Sequence, residues 1–136
     1  MSSPALLKPA LYRAEGTSAD PDHPALLGGA CECGYAFFPL QTYGCERCGR
    51  MAPKARALSG KGELLASARV HLHGGKTRQA PFTVVSVALD DGPIIRTLLA
   101  DDDDAVHPGD RMVTTLAPVT DAEGTERLDL RFTPHR

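Results

Sequence analysis

All four cysteines of the chain lie in one stretch, residues 31–49, CECGYAFFPLQTYGCERCG. Cys45 and Cys48 form a C-x-x-C followed by Gly49; Cys31 and Cys33 form only a C-x-C, followed by Gly34. Two C-x-x-C pairs about a dozen residues apart are the spacing of a zinc ribbon, in which each knuckle turns the chain so that two thiolates face one tetrahedral centre. Glycine after the second cysteine suits the turn because it accepts φ > 0 without steric cost. The first loop is one residue short of this pattern. Three outcomes therefore stay open: a distorted four-thiolate zinc site, zinc on three cysteines with another ligand, or a site that has lost its metal. Iron of the rubredoxin type shares the spacing. A thioredoxin-like redox role needs a βαβ context, and none is evident. The reading adopted is zinc on Cys31, Cys33, Cys45 and Cys48. A site closed by four thiolates has no open coordination position, so the expected role is structural and not catalytic.

The remainder decides what such a staple serves. At 136 residues the chain is one domain, or a small domain with an appendage. A part shorter than about 40 residues usually needs a metal or disulfide, which fits the cysteine module. Pro4, Pro9, Pro21 and Pro24 predict an irregular arm over residues 1–24, with at most a short turn near residues 10–14. No basic start with an apolar core marks a signal peptide, and no apolar run approaches the roughly 20 residues of a membrane-spanning helix. A cytoplasmic protein without a membrane partner is expected, and a reducing compartment counts against disulfides.

Residues 25–30 and 35–38 read as short strands around the first cysteine turn. From Gly60 onward the pattern is all β. Residues 63–72 alternate, which puts Leu64, Ala66, Ala68, Val70 and Leu72 on one face. FTVVSVAL at 82–89 is rich in β-branched residues, Asp90-Asp91-Gly92 signals a tight turn, and 94–99 answers it. Residues 101–104, four adjacent aspartates, read as a solvated loop. Pro108-Gly109-Asp110 is a turn before strands at 111–116 and 128–132. Five strands in so short a segment predict an OB-fold barrel, with an SH3-like barrel as the alternative. The expected architecture is mainly β: an N-terminal arm (1–24), a rubredoxin-like zinc ribbon (25–58) and a five-stranded OB-fold domain (59–136).

Other candidate sites are weak. His71 and His73 share one strand face but bring no third ligand. Ser59-Gly60-Lys61-Gly62 lacks the spacing of a phosphate loop and reads as a bend into the first barrel strand. Residues 50–78 hold seven basic side chains against Glu63 alone, while 79–136 hold eleven acids against five arginines. With a net charge of -2 and only Phe82 and Phe132 as barrel aromatics, the OB-fold is poorly equipped for single-stranded nucleic acid. No nucleic-acid partner is expected, and no catalytic constellation can be assembled.

Five pieces in order carry a resemblance: CGYAFFP with CERCG, then SGKGELLASARVH, APFTVVSVALDDGP, HPGDRM and RFTP. Together they span roughly residues 25–134. The sequence resembles the acyl-CoA-associated zinc-ribbon/OB-fold proteins, small accessory subunits of thiolase-superfamily enzymes. The resemblance implies a non-catalytic subunit in a hetero-oligomer with a thiolase-like catalytic subunit, sharing a CoA thioester substrate with it. The subunit would stabilise the partner and help shape its acyl-CoA channel. Thiolytic cleavage of a 3-oxoacyl-CoA, as in β-oxidation, is the preferred reaction of the complex. The alternative is a retro-aldolase or hydratase acting on 3-hydroxyacyl- or enoyl-CoA in side-chain degradation. The family's ribbon cysteines correspond to Cys31, Cys33, Cys45 and Cys48.

Overall fold

In a computed structural model the chain is described at all residues except 1–3, 42, 52, 72–80, 103 and 136. Nine strands follow one another: β1 (Tyr12–Arg13), β2 (Ala25–Ala30), β3 (Ala36–Phe37), β4 (Lys54–Leu58), β5 (Lys61–Val70), β6 (Phe82–Leu89), β7 (Ile94–Leu98), β8 (Arg111–Thr120) and β9 (Glu126–Pro134). The first four form a small sheet around β2. One edge of β2 is shared by β1, which pairs Tyr12 with Leu26, and β3, which pairs Gly29 with Phe37; the other edge carries β4 from Leu58 to Lys54. The last five form the antiparallel sheet β7-β6-β5-β8-β9. A parallel bridge between Leu99 and Phe132 brings its two ends together, giving a nearly closed five-stranded barrel of the OB type.

The chain crosses from one sheet to the other through Ser59 and Gly60 alone. A methyl group on Gly60 would meet the Thr114 hydroxyl and the Pro24 carbonyl. Thr114 donates its hydroxyl to that carbonyl at 2.6 Å, and its N–H donates to the Gly60 carbonyl at 2.8 Å. Arm, link and barrel meet here too closely for any side chain.

One core serves both sheets. Tyr12, Leu26, Ala36 and Leu58 of the small sheet are buried with Leu64, Val85, Val87, Met112, Leu130 and Phe132 of the barrel. The small sheet has too few apolar residues for a core of its own and borrows the barrel's.

Three expectations are corrected. The arm is not irregular throughout. Its Leu11-Tyr12 pair adds to β2, and residues 5–7 run along β9, where the Leu7 N–H donates to the Leu128 carbonyl. Tyr12 outweighs the flanking prolines by burying its ring. In β5 the pairing shifts between Leu64 and Ala66. A bulge of this kind leaves one residue unpaired and inverts the alternation beyond it. Leu64 is buried, whereas Ala66 and Ala68 are exposed on the opposite face; Leu72 lies outside the described residues. Finally, β8 and β9 are longer than predicted and joined by a turn at residues 121–125, where Asp121 accepts from the N–H groups of Glu123 and Thr125. Pro118 sits within β8 because no strand pairs with its other edge there, so no ladder donor is lost.

Candidate metal centre

β2 delivers the chain to Cys31 and β3 leads it away, so the first knuckle closes a hairpin. The Cys31 N–H donates to the Tyr35 carbonyl at 2.9 Å and the Gly34 N–H to the Cys31 carbonyl at 2.9 Å. The second knuckle repeats this frame with one more residue in each ring. The Cys45 N–H donates to the Arg50 carbonyl at 2.7 Å and the Gly49 N–H to the Cys45 carbonyl at 2.8 Å. The short C-x-C loop thus tightens each ring by one residue and keeps both closing bonds. Gly34 and Gly49 have φ of 96° and 79°, a region in which a Cβ is strained. The matching glycines are therefore a demand of the two turns.

The four Sγ atoms all lie within 4.8 Å of one another. Across the two knuckles Cys31 and Cys48 are 3.4 Å apart, and Cys33 and Cys45 3.7 Å. A tetrahedron with Zn–S of about 2.3 Å has edges of about 3.8 Å, so the group has the size to hold a metal ion such as zinc. Cys31 and Cys45 are buried, Cys33 and Cys48 exposed.

The thiols share their protons unequally. For Cys31 a hydrogen bond from the Cys33 N–H lowers the pKa, but burial and its contacts with Cys48, Cys33 and Cys45 outweigh it and push the value up to about 12. Burial raises Cys45, yet the N–H groups of Cys48 and Arg47 and the thiols of Cys31 and Cys33 bring it down to about 6. The two buried thiols are thus shifted in opposite directions, and a cation bound by the four sulfurs would displace thiol protons from the cluster.

The remaining candidates do not converge on this centre. His71 is exposed at the end of β5, and His73 lies outside the described residues. Four of the central cations face separate partners: Arg50 with Glu32 at 3.3 Å, Arg56 with Asp91 at 3.8 Å, Lys61 with Asp20 at 3.8 Å, and Arg69 with the Asp102 carbonyl at 2.9 Å; Lys76 and Arg78 lie outside the described residues. The aspartate loop is only partly solvated, since Asp102 accepts the Thr83 N–H at 2.8 Å.

Sequence reasoning missed two polar groups. Asp20, only 3 % exposed, receives the His23 ring at 2.9 Å. Tyr12 donates its hydroxyl to Asp129 at 2.8 Å, and Asp129 in turn pairs with Arg131 at 3.1 Å. The Asp20–His23 contact is local, three residues apart, but no motif marks it, and the partner of Tyr12 lies 117 residues away in the sequence.

Residues 55–116 match the family model for the C-terminal OB-fold domain of ChsH2. The match takes in most of β4, all of β5, β6 and β7, and the first part of β8. Among solved structures, a chain of an "Ltp2-ChsH2(DUF35) aldolase" has the same fold, with a TM-score of 0.64 and 21% identity over 81% of this chain and 84% of that one. None of the curated proteins matches the chain. Over residues 55–116 the chain is thus similar to that OB-fold domain, and over most of its length it shares the fold of the solved structure.

Proposed function

From a barrel similar over residues 55–116 to the C-terminal OB-fold domain of ChsH2, we propose that the chain is the zinc-ribbon/OB-fold subunit of a hetero-oligomer whose partner is a thiolase-like catalytic subunit acting on CoA thioesters. The observation that carries this reading is the placing of exposed apolar residues. Leu40, Tyr43 and Met51 project from the ribbon loop at 40 %, 80 % and 76 % exposure, and Ile94 from the β6–β7 turn at 63 %. Tyr43 and Ile94 line one groove of about 730 Å³ together with Tyr35, Phe38, Pro39 and Pro93. Exposed apolar side chains that share a groove with the charged Glu46, Arg47 and Asp91 are the usual mark of a protein interface.

In this reading the arm (1–24) ties the ribbon (25–58) to the OB-fold domain (59–136). Zinc on Cys31, Cys33, Cys45 and Cys48 stiffens the ribbon loop. The stiffened loop presents Leu40 and Tyr43 to the partner. The subunit stabilises the catalytic chain and helps to wall its acyl-CoA channel, in the cytoplasm, where thiols stay reduced. The structural neighbour is named an aldolase. That favours retro-aldol cleavage of a 3-hydroxyacyl-CoA by the partner over thiolytic cleavage of a 3-oxoacyl-CoA.

The test is co-expression with a thiolase-superfamily protein from the same genome. The two should co-elute, and Tyr43→Asp with Ile94→Asp should separate them while leaving the isolated chain folded. A stable monomer that captures no thiolase-like protein would sink the proposal. Assays of the pure complex on 3-hydroxyacyl- and 3-oxoacyl-CoA then separate the two reactions.

A further inference from the structure

An edge strand offers its outward backbone groups to water or to another chain, and folds usually cover or blunt such edges. The barrel does so. Residues 5–7 run along β9, and β7 closes on β9 at the Leu99–Phe132 bridge. Pro118 stands on the free edge of β8, and the bulge between Leu64 and Ala66 interrupts β5. β4 has neither a proline nor a bulge, and no strand of the described residues pairs with its outer edge. Its five residues pair with β2 in unbroken register, from Leu58 opposite Leu26 to Lys54 opposite Ala30.

Which groups of β4 face outward follows from β2. The Leu27 N–H donates to the Leu11 carbonyl at 2.8 Å and the Cys31 N–H to the Tyr35 carbonyl at 2.9 Å. Leu27, Gly29 and Cys31 therefore bond on the side away from β4. In an antiparallel pair, hydrogen-bonded and non-hydrogen-bonded positions alternate. Leu27 with Ala57 and Gly29 with Ala55 are then the non-bonded pairs, and the N–H and C=O groups of Ala55 and Ala57 point outward. Ser59, the next residue in this series, agrees: its N–H turns to the Asp91 carboxylate at 3.4 Å. The chain itself thus sets a carboxylate against one end of this edge.

The side chains say what kind of strand would fit. Lys54 and Arg56 share one face of β4, and Ala55 and Ala57 the other. Lys54, Ala55 and Arg56 are exposed. Lys54 has no ion-pair partner among the described residues, and Arg56 reaches Asp91 only at 3.8 Å. Arg50 lines a cleft of about 390 Å³ with them, and its bond to Glu32 joins two exposed side chains, a pairing of little strength. Opposite charges across neighbouring strands stabilise their pairing, and like charges oppose it. A second copy laid β4 on β4 would bring the Lys54 and Arg56 of the two copies together. A phosphate accepts from N–H groups but leaves the carbonyls of Ala55 and Ala57 without a donor; another backbone serves both.

We propose that the free edge of β4 docks an extended segment of a protein partner, a strand with acidic side chains at alternate positions. Its backbone bonds the N–H and C=O groups of Ala55 and Ala57, and its carboxylates lie beside Lys54 and Arg56. The side chains between them are apolar and lie beside Ala55 and Ala57, whose small size leaves them room. The inference goes beyond the reading given above and does not rest on which reaction the partner catalyses.

The test is a titration of the full zinc-loaded chain with two short capped peptides, one alternating glutamate and valine, the other lysine and valine, followed by backbone amide NMR. The glutamate peptide should shift the amides of Ala55 and Ala57 saturably, more weakly as salt is added, and the lysine peptide should leave them unmoved. Lys54→Glu with Arg56→Glu, both on the surface, should reverse this preference. Ala57→Pro removes an outward N–H while sparing the bonds to β2, a position where an edge strand tolerates proline. It should weaken the glutamate peptide about tenfold, the scale of one hydrogen bond. Shifts away from β4, equal binding of the two peptides, or an unchanged preference after charge reversal would overturn the proposal. So would concentration-dependent shifts at Ala55 and Ala57 without peptide, which would mean that a second copy covers the edge.

Discussion

Tyr12 is the clearest case of one side chain doing what its neighbours in sequence argue against. It is 4 % exposed, and burial, followed by the hydrogen bond to Asp129 and the charge on that carboxylate, pushes its pKa up to about 12. A pKa raised in the folded state contributes stability that is complete below the unfolded value near 10 and is lost as pH rises through about 12. Tyr12→Phe should therefore cost about 1–2 kcal/mol at pH 8 by removing the hydrogen bond. The gap between variant and parent should shrink from pH 10 upward, as read from urea midpoints across that range. An unchanged gap at pH 12 would mean that the hydroxyl is not held as the fold places it. The cysteines pose the other question at this scale. About one zinc per chain is expected by elemental analysis. Serine at Cys33 should abolish stoichiometric zinc as completely as serine at Cys45; zinc retained by Cys33→Ser alone would mean that the short loop supplies a single ligand.

Among the elements, the link between β4 and β5 has the least room. A Cβ at Gly60 would collide with the Thr114 hydroxyl oxygen and lie 2.6 Å from the Pro24 carbonyl oxygen, which is backbone and cannot step aside. Gly60→Ala should lower stability by roughly 2–3 kcal/mol, the range of overpacked sites, measurable as a shift in denaturant midpoint at constant slope. A neutral effect would show that the arm yields at Pro24. The strands themselves were largely legible. FTVVSVAL with Asp-Asp-Gly predicts β6, its turn and β7 because the signal is local: β-branched residues followed by turn chemistry. The face of β5 was not legible. Its alternation continues unbroken through Leu64, Ala66 and Ala68, but the bulge is imposed by β5 leaving β8 after Glu63 while staying paired with β6. β1 was hidden for a similar reason, since two residues between prolines make a strand only when β2 offers its edge.

For the whole molecule, one core under two sheets makes ribbon and barrel interdependent. Stripping the metal with a chelator should lower the unfolding midpoint of the chain and raise hydrogen exchange first around residues 31–49, because the thiol cluster there is the part whose folding energy comes from the ion. Exchange that starts instead at the β8–β9 hairpin would place the weak point of the fold elsewhere. The same division explains the surface. The barrel buries Val85, Val87 and Phe132 almost completely, while the ribbon loop leaves Tyr43 and Met51 outside. Large apolar side chains left outside in this way are what a protein interface covers.

The sequence alone determined the class of the molecule and the position of its staple. Four thiols beside two glycines, followed by five β-rich runs with turns between them, specify a ribbon and an OB-fold barrel, because knuckles, turns and strand alternation are read within a few residues. Tertiary structure decided whether a C-x-C could join a C-x-x-C, and it did so by closing both knuckles with equivalent backbone bonds that bring the sulfurs within 4.8 Å. It also decided that the proline-bearing arm docks, and that the barrel stays open enough at β7 and β9 to leave a cleft. These outcomes depend on partners more than a hundred residues apart, such as Tyr12 with Asp129, and no local pattern encodes such a contact.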